Sequence, residues 1–386
     1  MTLLDRKLGL VIRIGLLALM ALVPTRYVIK HFSRETGFTN LICFGSEFFK
    51  NAPSTVKSAP LAVQTPWGYD GEFYAMIATD PLLLNPELKP ALDIPSYRAR
   101  RIAVPVLAWC AGLGKPAWIL QCYSVANLFF WYLLFAGMIY FLKPRTLRDF
   151  LCVGACCLTS GVLFSIQRAL LDLPAATFAF YSATLSGEFA VAALAVAILT
   201  KDSYMMSLGV MARPFEETQE SVAQRIWRFA KPLVPFVVWC SYVYWKWGVA
   251  SQGQNFSWPM EGYLSAFLRG WKLYNGHHML FPFTEMVAPV SLVIQIVYLL
   301  LVARSYRSPY WRIGAGFAIA SIFLSSDVFV EQMSFCRDTI MVTMAFNIGL
   351  MQNKPRGFLL WFVAGNIGLT TGLMQFVWGF LQFANG

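Results

Sequence analysis

AWILQCYSVANLFFWYLLFAGMIYFL, residues 117–142, is the stretch on which the fold turns. Its 26 residues include no Asp, Glu, Lys or Arg. A helix needs roughly 20 apolar residues to cross the hydrocarbon core of a bilayer, so this segment reads as a membrane span. It runs into KPRTLRD (143–149), a basic cluster of the kind held on the cytoplasmic side. The whole chain agrees. Of 386 residues, 57% are hydrophobic and only 13% charged, against about 25% charged in a soluble domain.

The net charge of +11 does not point to nucleic acid, because the basic residues lie in short clusters between apolar runs. The partner implied is the lipid bilayer. Eight cysteines show no CxxC pair and no Cys/His metal spacing. Cys152, Cys156 and Cys157 fall inside an apolar run and read as buried thiols. MTLLDRKLGLVIR is basic, but no small-residue cleavage site follows it, so 8–29 reads as a retained first membrane helix.

Further candidate spans are 150–166, 232–249, 286–303, 311–326, 338–352 and 357–381. Between them lie three shorter runs, LPAATFAFYSATL, EFAVAALAVAIL and SYMMSLGVMARPF, too short to span alone. They read as broken or half-depth helices around a cavity. The basic segments at Arg6, Lys7 and Arg13, at 143–149, 213–231, 304–312 and 353–356 are placed in the cytoplasm. The expectation is an all-α polytopic protein of about 11 membrane helices, one transmembrane domain over 1–386. It divides into a first helix (1–29), a large first extracytoplasmic loop with amphipathic helices (30–116) and the remaining helices (117–386).

Some charges break the positive-inside pattern. Arg98, Arg100, Arg101, Arg168, Lys201 and Arg337 fall on the outer side, interleaved with Asp70, Asp80, Asp93, Asp172, Asp202 and Asp338. Charges at membrane depth are costly and mark functional sites. Arginine matches phosphate oxygens bidentately, which points to a phosphate-bearing occupant. In GYDGEFYAMIATDP (68–81), Asp70 reads either as an N-cap of a short helix ended by Asp80–Pro81, or as a general base for an acceptor hydroxyl. Arg168 and Asp172 stand four apart and share a helix face as an ion pair or as site residues. His277 and His278 are adjacent and do not face one way, which argues against a metal pair. EETQESVAQRIWRFAK (216–231) reads as a helix on the cytoplasmic membrane surface.

Gly68-Tyr69-Asp70-Gly71-Glu72-Phe73-Tyr74, then Asp80-Pro81, then DIPSYRARRIAVP (93–105), make an order of motifs that resembles the GT-C superfamily of polytopic glycosyltransferases. More closely it resembles a bacterial family implicated in cell-surface glycopolymer formation, which carries Gln where Glu72 stands and Glu where Asp202 stands. The resemblance covers essentially the whole chain. It is fairly specific over 68–105 and generic at Arg168/Asp172, Thr200-Lys201-Asp202 and Phe335/Arg337. It implies a bacterial plasma-membrane enzyme with an extracytoplasmic site. A sugar would pass from a polyprenyl-phosphate donor to a glycan, lipid or protein acceptor by single displacement. Asp70 would be the general base. Tyr69, Glu72, Tyr74, Asp80, Asp93, Tyr97 and Asp172 would position substrates. Arg98, Arg100, Arg101, Arg168, Lys201 and Arg337 would hold the donor phosphate. Some members of the superfamily use a divalent metal such as Mg or Mn, but this sequence shows no ligand set. The competing readings are a transporter or flippase for lipid-linked glycans, a non-catalytic assembly protein, and a membrane acyltransferase. The last is disfavoured because the His pair has no carboxylate at catalytic spacing.

Overall fold

The computed structural model describes residues 4, 6–64, 66–212, 221–249, 255–277, 280–303, 305–374 and 376. They are mostly helical. Among them the only strands are a two-residue parallel pair, β1 (Phe44–Gly45) and β2 (Val63–Gln64). Three helices are long and apolar enough to cross a membrane, and a bent pair adds a fourth if it counts as one span. The first is α1 (Leu10–Lys30). It leaves Leu10, Val11, Ile12, Ile14 and Leu19 more than half exposed, a surface suited to lipid rather than water.

Two short helices of the 30–116 region carry site residues. They are α2 (Gly71–Thr79) and α3 (Pro95–Ala99), and α4 (Ala103–Ala111) follows them. The long apolar stretch is α5 (Pro116–Leu142), one helix of 27 residues. The expected 150–166 span is broken into α6 (Leu147–Cys157) and α7 (Ser160–Gln167), which meet at 42°. Thr146 and Asp149 form a capping box that starts α6.

The three short runs form a layer of their own. They are α8 (Asp172–Thr184), α9 (Gly187–Thr200) and a 3-10 helix, Asp202–Met211. The later elements are α10 (Val222–Ala230), α11 (Val234–Trp247), α12 (Glu261–His277) and α13 (Leu280–Val297). A π-helical turn, Tyr298–Val302, ends α13. Then come α14 (Pro309–Ile322), α15 (Gln332–Asp338), α16 (Ile340–Asn353) and α17 (Phe358–Asn366). Helices α11, α14 and α16 have 14 residues each. At 1.5 Å per residue that is about 21 Å, less than the roughly 30 Å hydrocarbon core. His278 and the basic residues Arg213 and Arg304 lie outside the described residues.

Close backbone approaches assemble the region around Asp70. A Cβ on Gly71 would lie 2.2 Å from the carbonyl oxygen of Arg168. The first turn of α2 can therefore sit on the 168–169 turn only as glycine. That turn is itself pinned by α5: Tyr123 donates to the Ala169 carbonyl at 3.0 Å and Asn127 to the Leu170 carbonyl at 2.9 Å. Gly161 plays the same part between α7 and α15, since a Cβ there would meet the Cys336 carbonyl oxygen at 2.2 Å. This contact sets the position of the next residue, Arg337.

Gly71→Ala is expected to destabilise the protein by about 1–3 kcal/mol, the usual cost of overpacking. Gly15→Ala, where a Cβ would have open space, should not. Thermal unfolding of the two purified variants in the same detergent checks this. An unchanged midpoint for Gly71→Ala would contradict the close approach.

Candidate functional site

Five stretches far apart in the chain converge on one charged cluster. They are 69–74, 93–101, Asp172, 201–202 and 337–338. Asp70 occupies the N-cap position of α2, but its side chain caps nothing. It reaches outward instead. Arg98 donates to Oδ1 at 2.9 Å and Arg337 to Oδ2 at 2.9 Å. The capping expectation therefore fails for the side chain, because two guanidiniums offer stronger, charge-assisted bonds than the helix N–H groups do. The helix does stop at Thr79, before Asp80–Pro81, as the sequence predicts.

Arg98 is held from the other side by Asp93, bidentately, at 2.9 and 2.7 Å. Tyr74 is buried beneath, and its hydroxyl accepts from Arg98 at 3.3 Å and from Arg101 at 2.8 Å. Arg101 continues the chain to Tyr97 (2.5 Å) and Asp202 (3.0 Å), and Arg100 joins Asp202 at 3.3 Å. The indole of Trp239 on α11 donates to the Ala99 carbonyl at 2.8 Å, which fixes this arginine-bearing turn. On the other flank Arg337 lies 4.0 Å from Asp172. Asp172 pairs with Lys201 at 2.5 Å, and Lys201 also bonds Asp338. Asp172 sits at the start of α8, with its backbone carbonyl taken by the Tyr204 hydroxyl at 3.1 Å. Five cations thus face five aspartates, joined through Tyr74 into one network.

Two expected site residues stand apart. Arg168 does not pair with Asp172. Its Nη1 meets Cys43 Sγ at 2.9 Å, because α7 ends there and its side chain turns toward β1. Arg168 supports the site through its backbone carbonyl, under Gly71. Asp80 lies at the other end of α2, a nine-residue helix and so about 13 Å long. There Asp80 accepts the Asn85 N–H at 2.6 Å and closes the following turn. Asp202, which holds Arg100 and Arg101, and Asp338, which holds Lys201, belong to the network as fully as their partners, a pairing that no local spacing reveals.

Above Asp70 opens a cavity of about 320 Å³, walled by Trp67, Tyr69, Asp70, Glu72, Arg98 and Glu331. That is the lower range for small-molecule sites. Trp67 is 68% exposed at its rim. Trp67 and Glu331 escape sequence reading, since neither lies in a charged or periodic pattern.

The electrostatics separate two neighbouring carboxyls. Burial alone would raise Asp70, but the Arg337 and Arg98 guanidiniums outweigh it and hold its carboxyl well below the usual range. Glu72 goes the other way. Burial pushes it up to about 7, opposed by the Gly45 N–H that donates to Oε2 at 2.9 Å. Tyr69 is pushed up to about 12 by burial, against the pull of Arg337. Two donors remain unused: Arg100 Nε and Arg337 Nε are buried with no hydrogen-bond partner. A buried guanidinium N–H without an acceptor is costly, and an anionic ligand would satisfy it.

A divalent cation does not suit this arrangement. Each aspartate of the cluster already faces a guanidinium or ammonium. Among the described residues no three His, Cys, Asp or Glu side chains converge. Comparison of the chain with family models, with curated proteins and with solved structures finds no match.

The raised Glu72 gives a pH signature. Its folded value lies above the unfolded one, so it contributes stability that is full below about pH 4.5 and lost as pH rises through about 7. Glu72→Gln should flatten that decline, about 2–3 kcal/mol at most. Denaturation midpoints of both proteins at pH 5 and pH 8 check it. Parallel pH dependence in the two would show that Glu72 does not titrate in this window.

Proposed function

We propose that the protein is a GT-C-type glycosyltransferase that uses a polyprenyl-phosphate-linked sugar, with Asp70 at its reaction centre. The observation that carries the reading is the position of Asp70. Its carboxylate lies between guanidiniums from opposite ends of the chain, at the floor of a cavity of sugar size. Two guanidiniums that hold a carboxylate this way are also spaced to hold the oxygens of a phosphate.

Asp70 then stands where the donor phosphate competes. When the phosphate takes Arg98 and Arg337, Asp70 loses the two charges that depress it. It becomes a stronger base as the donor arrives. An acceptor hydroxyl, placed in the cavity against Trp67, gives its proton to Asp70 while its oxygen attacks the anomeric carbon. The bond from that carbon to the phosphate oxygen breaks, and the electron pair leaves with the polyprenyl phosphate. The arginines stabilise the leaving charge, and the anomeric centre inverts. Asp93 and Tyr74 hold Arg98, while Asp172, itself held by Lys201, faces Arg337. In this reading the site faces the extracytoplasmic side of a bacterial plasma membrane. The short helices, paired or tilted, complete a bundle of about 11 membrane helices.

The test is transfer of labelled sugar from a polyprenyl-phosphate donor by purified protein. Asp70→Asn should fold, because Arg98 keeps Asp93 and Arg337 keeps Asp172 nearby. It should lose transfer by about 10²–10⁴-fold, the usual worth of a general base. Equal transfer by both proteins would remove Asp70 from the chemistry.

A further inference from the structure

The cavity above Asp70 has two ends of different chemistry. Its floor holds the Asp70 carboxylate between Arg98 and Arg337. Trp67, Glu331 and Ser334 line it further out, and the reaction proposed above leaves Glu331 and Ser334 without a task.

Helix α15 connects the two ends. Ser334 and Arg337 stand three apart on it, and Glu331 stands three before Ser334, at the N-cap position. Residues at this spacing share a helix face, and each step rises about 4.5 Å. Arg337 reaches Asp70 at the floor, while Ser334 and Glu331 line the cavity one and two steps further along the same face.

These outer groups are unused. Glu331 is exposed and its side chain caps nothing. Among the described residues its carboxylate makes no hydrogen bond or ion pair, and the Ser334 hydroxyl makes no hydrogen bond. Trp67 is 68% exposed and, among the described residues, its ring packs on no other ring and its N–H has no acceptor. Phe48 and Phe73 on the same cavity wall do pack together, edge to face, with centroids 5.0 Å apart.

A bare indole beside a free carboxylate and a free hydroxyl matches the surface of a sugar. A sugar ring has an apolar C–H face and a rim of hydroxyl donors. An indole covers the face and keeps a polar edge for the rim, and an ionised carboxylate only accepts hydrogen bonds, so it needs such donors. An apolar wall with a few polar groups that fix orientation is the usual make-up of a small-molecule site. An acidic ligand would meet Glu331, and like charges set against one another are strongly disfavoured. A cationic ligand would suit Glu331 but would meet Arg98 and Arg337 at the floor.

We infer that the acceptor is an uncharged sugar, stacked on Trp67 and hydrogen-bonded through its hydroxyls to Glu331, which excludes acidic sugars. The word acceptor rests on the glycosyltransferase reading; the sugar site itself rests on the geometry of Trp67, Glu331 and Ser334. Glu331 sets specificity and takes no part in proton transfer.

Saturation-transfer NMR on the full chain in nanodiscs, without donor, tests it. The probes are the methyl glycosides of glucose, galactose, mannose and N-acetylglucosamine, with methyl glucuronide and methyl galacturonide as acidic counterparts. At least one neutral glycoside should bind, and the uronides should bind about tenfold more weakly or worse. Trp67→Ala should weaken the neutral glycoside about tenfold. Glu331→Lys should reverse the preference in favour of the uronides, with an unchanged unfolding midpoint because the residue is exposed. Uronides bound as well as neutral glycosides by the wild type, or no glycoside bound at all, overturns the inference and needs no variant to fold. A neutral preference that survives Glu331→Lys overturns the role of Glu331. Neutral sugars that bind as expected but receive no label from a polyprenyl-phosphate donor would count against the glycosyltransferase reading and leave the sugar site standing.

Discussion

The charged network is organised around the bond pair at Asp70. One carboxylate receives a guanidinium from residue 98 and another from residue 337, and so ties the loop after the first helix to a helix near the end of the chain. Arg98 is 7% exposed and Asp172 only 3%. Charges buried to this depth are tolerated only when paired and hydrogen-bonded. The remaining pairs follow from that requirement. Asp93 completes Arg98, Tyr74 carries the contact to Arg101, Asp202 closes it, and Lys201 answers Asp172 and Asp338. On the proposed reading, the cavity above Asp70 is a place where a charged group of the network could exchange partners with an incoming phosphate.

The need for pairing also explains what the short helices do. A helix of 13 or 14 residues is a poor membrane span, but α8, α9 and the 3-10 helix after them carry Asp172, Lys201 and Asp202 at one end. In the proposed membrane bundle their length would set the depth of the charged network, and their packing together would supply the walls that irregular or charged backbone requires there. Glycines finish the assembly where helices touch backbone to backbone, at Gly71 over the 168–169 turn and Gly161 over Cys336.

Much of this was legible in the residues. The uncharged run at 117–142 announces α5, and 8–29 announces α1. The interruption of 150–166 at Leu158–Thr159 was missed, because the run has no charge and no proline, and its Thr159-Ser160-Gly161 also fits within a continuous apolar helix. Of the charges that the topology rule leaves stranded outside the cytoplasm, Asp70, Asp93, Arg98, Arg100, Arg101, Asp172, Lys201, Asp202, Arg337 and Asp338 are gathered in one place, while Asp80 and Arg168 stand apart. Who pairs with whom was not legible. Asp70 and Arg337 are 267 residues apart, while the rules for caps and helix pairs reach only three or four residues. Those local rules suggested a cap for Asp70 and an Arg168–Asp172 pair, and tertiary partners displaced both.

In the proposed mechanism Asp70 occupies the seat of the donor phosphate and yields it on binding. The most direct measurement is the affinity of the purified protein for a polyprenyl phosphate without sugar, wild type against Asp70→Asn. Removing the competing carboxylate leaves Arg98 and Arg337 short of negative charge. The account therefore predicts that the variant binds the phosphate about tenfold tighter, a gain of about 1.4 kcal/mol, while its transfer is lost. Equal or weaker binding by a folded Asp70→Asn would contradict it, and would leave the carboxylate as a structural tie between two arginines.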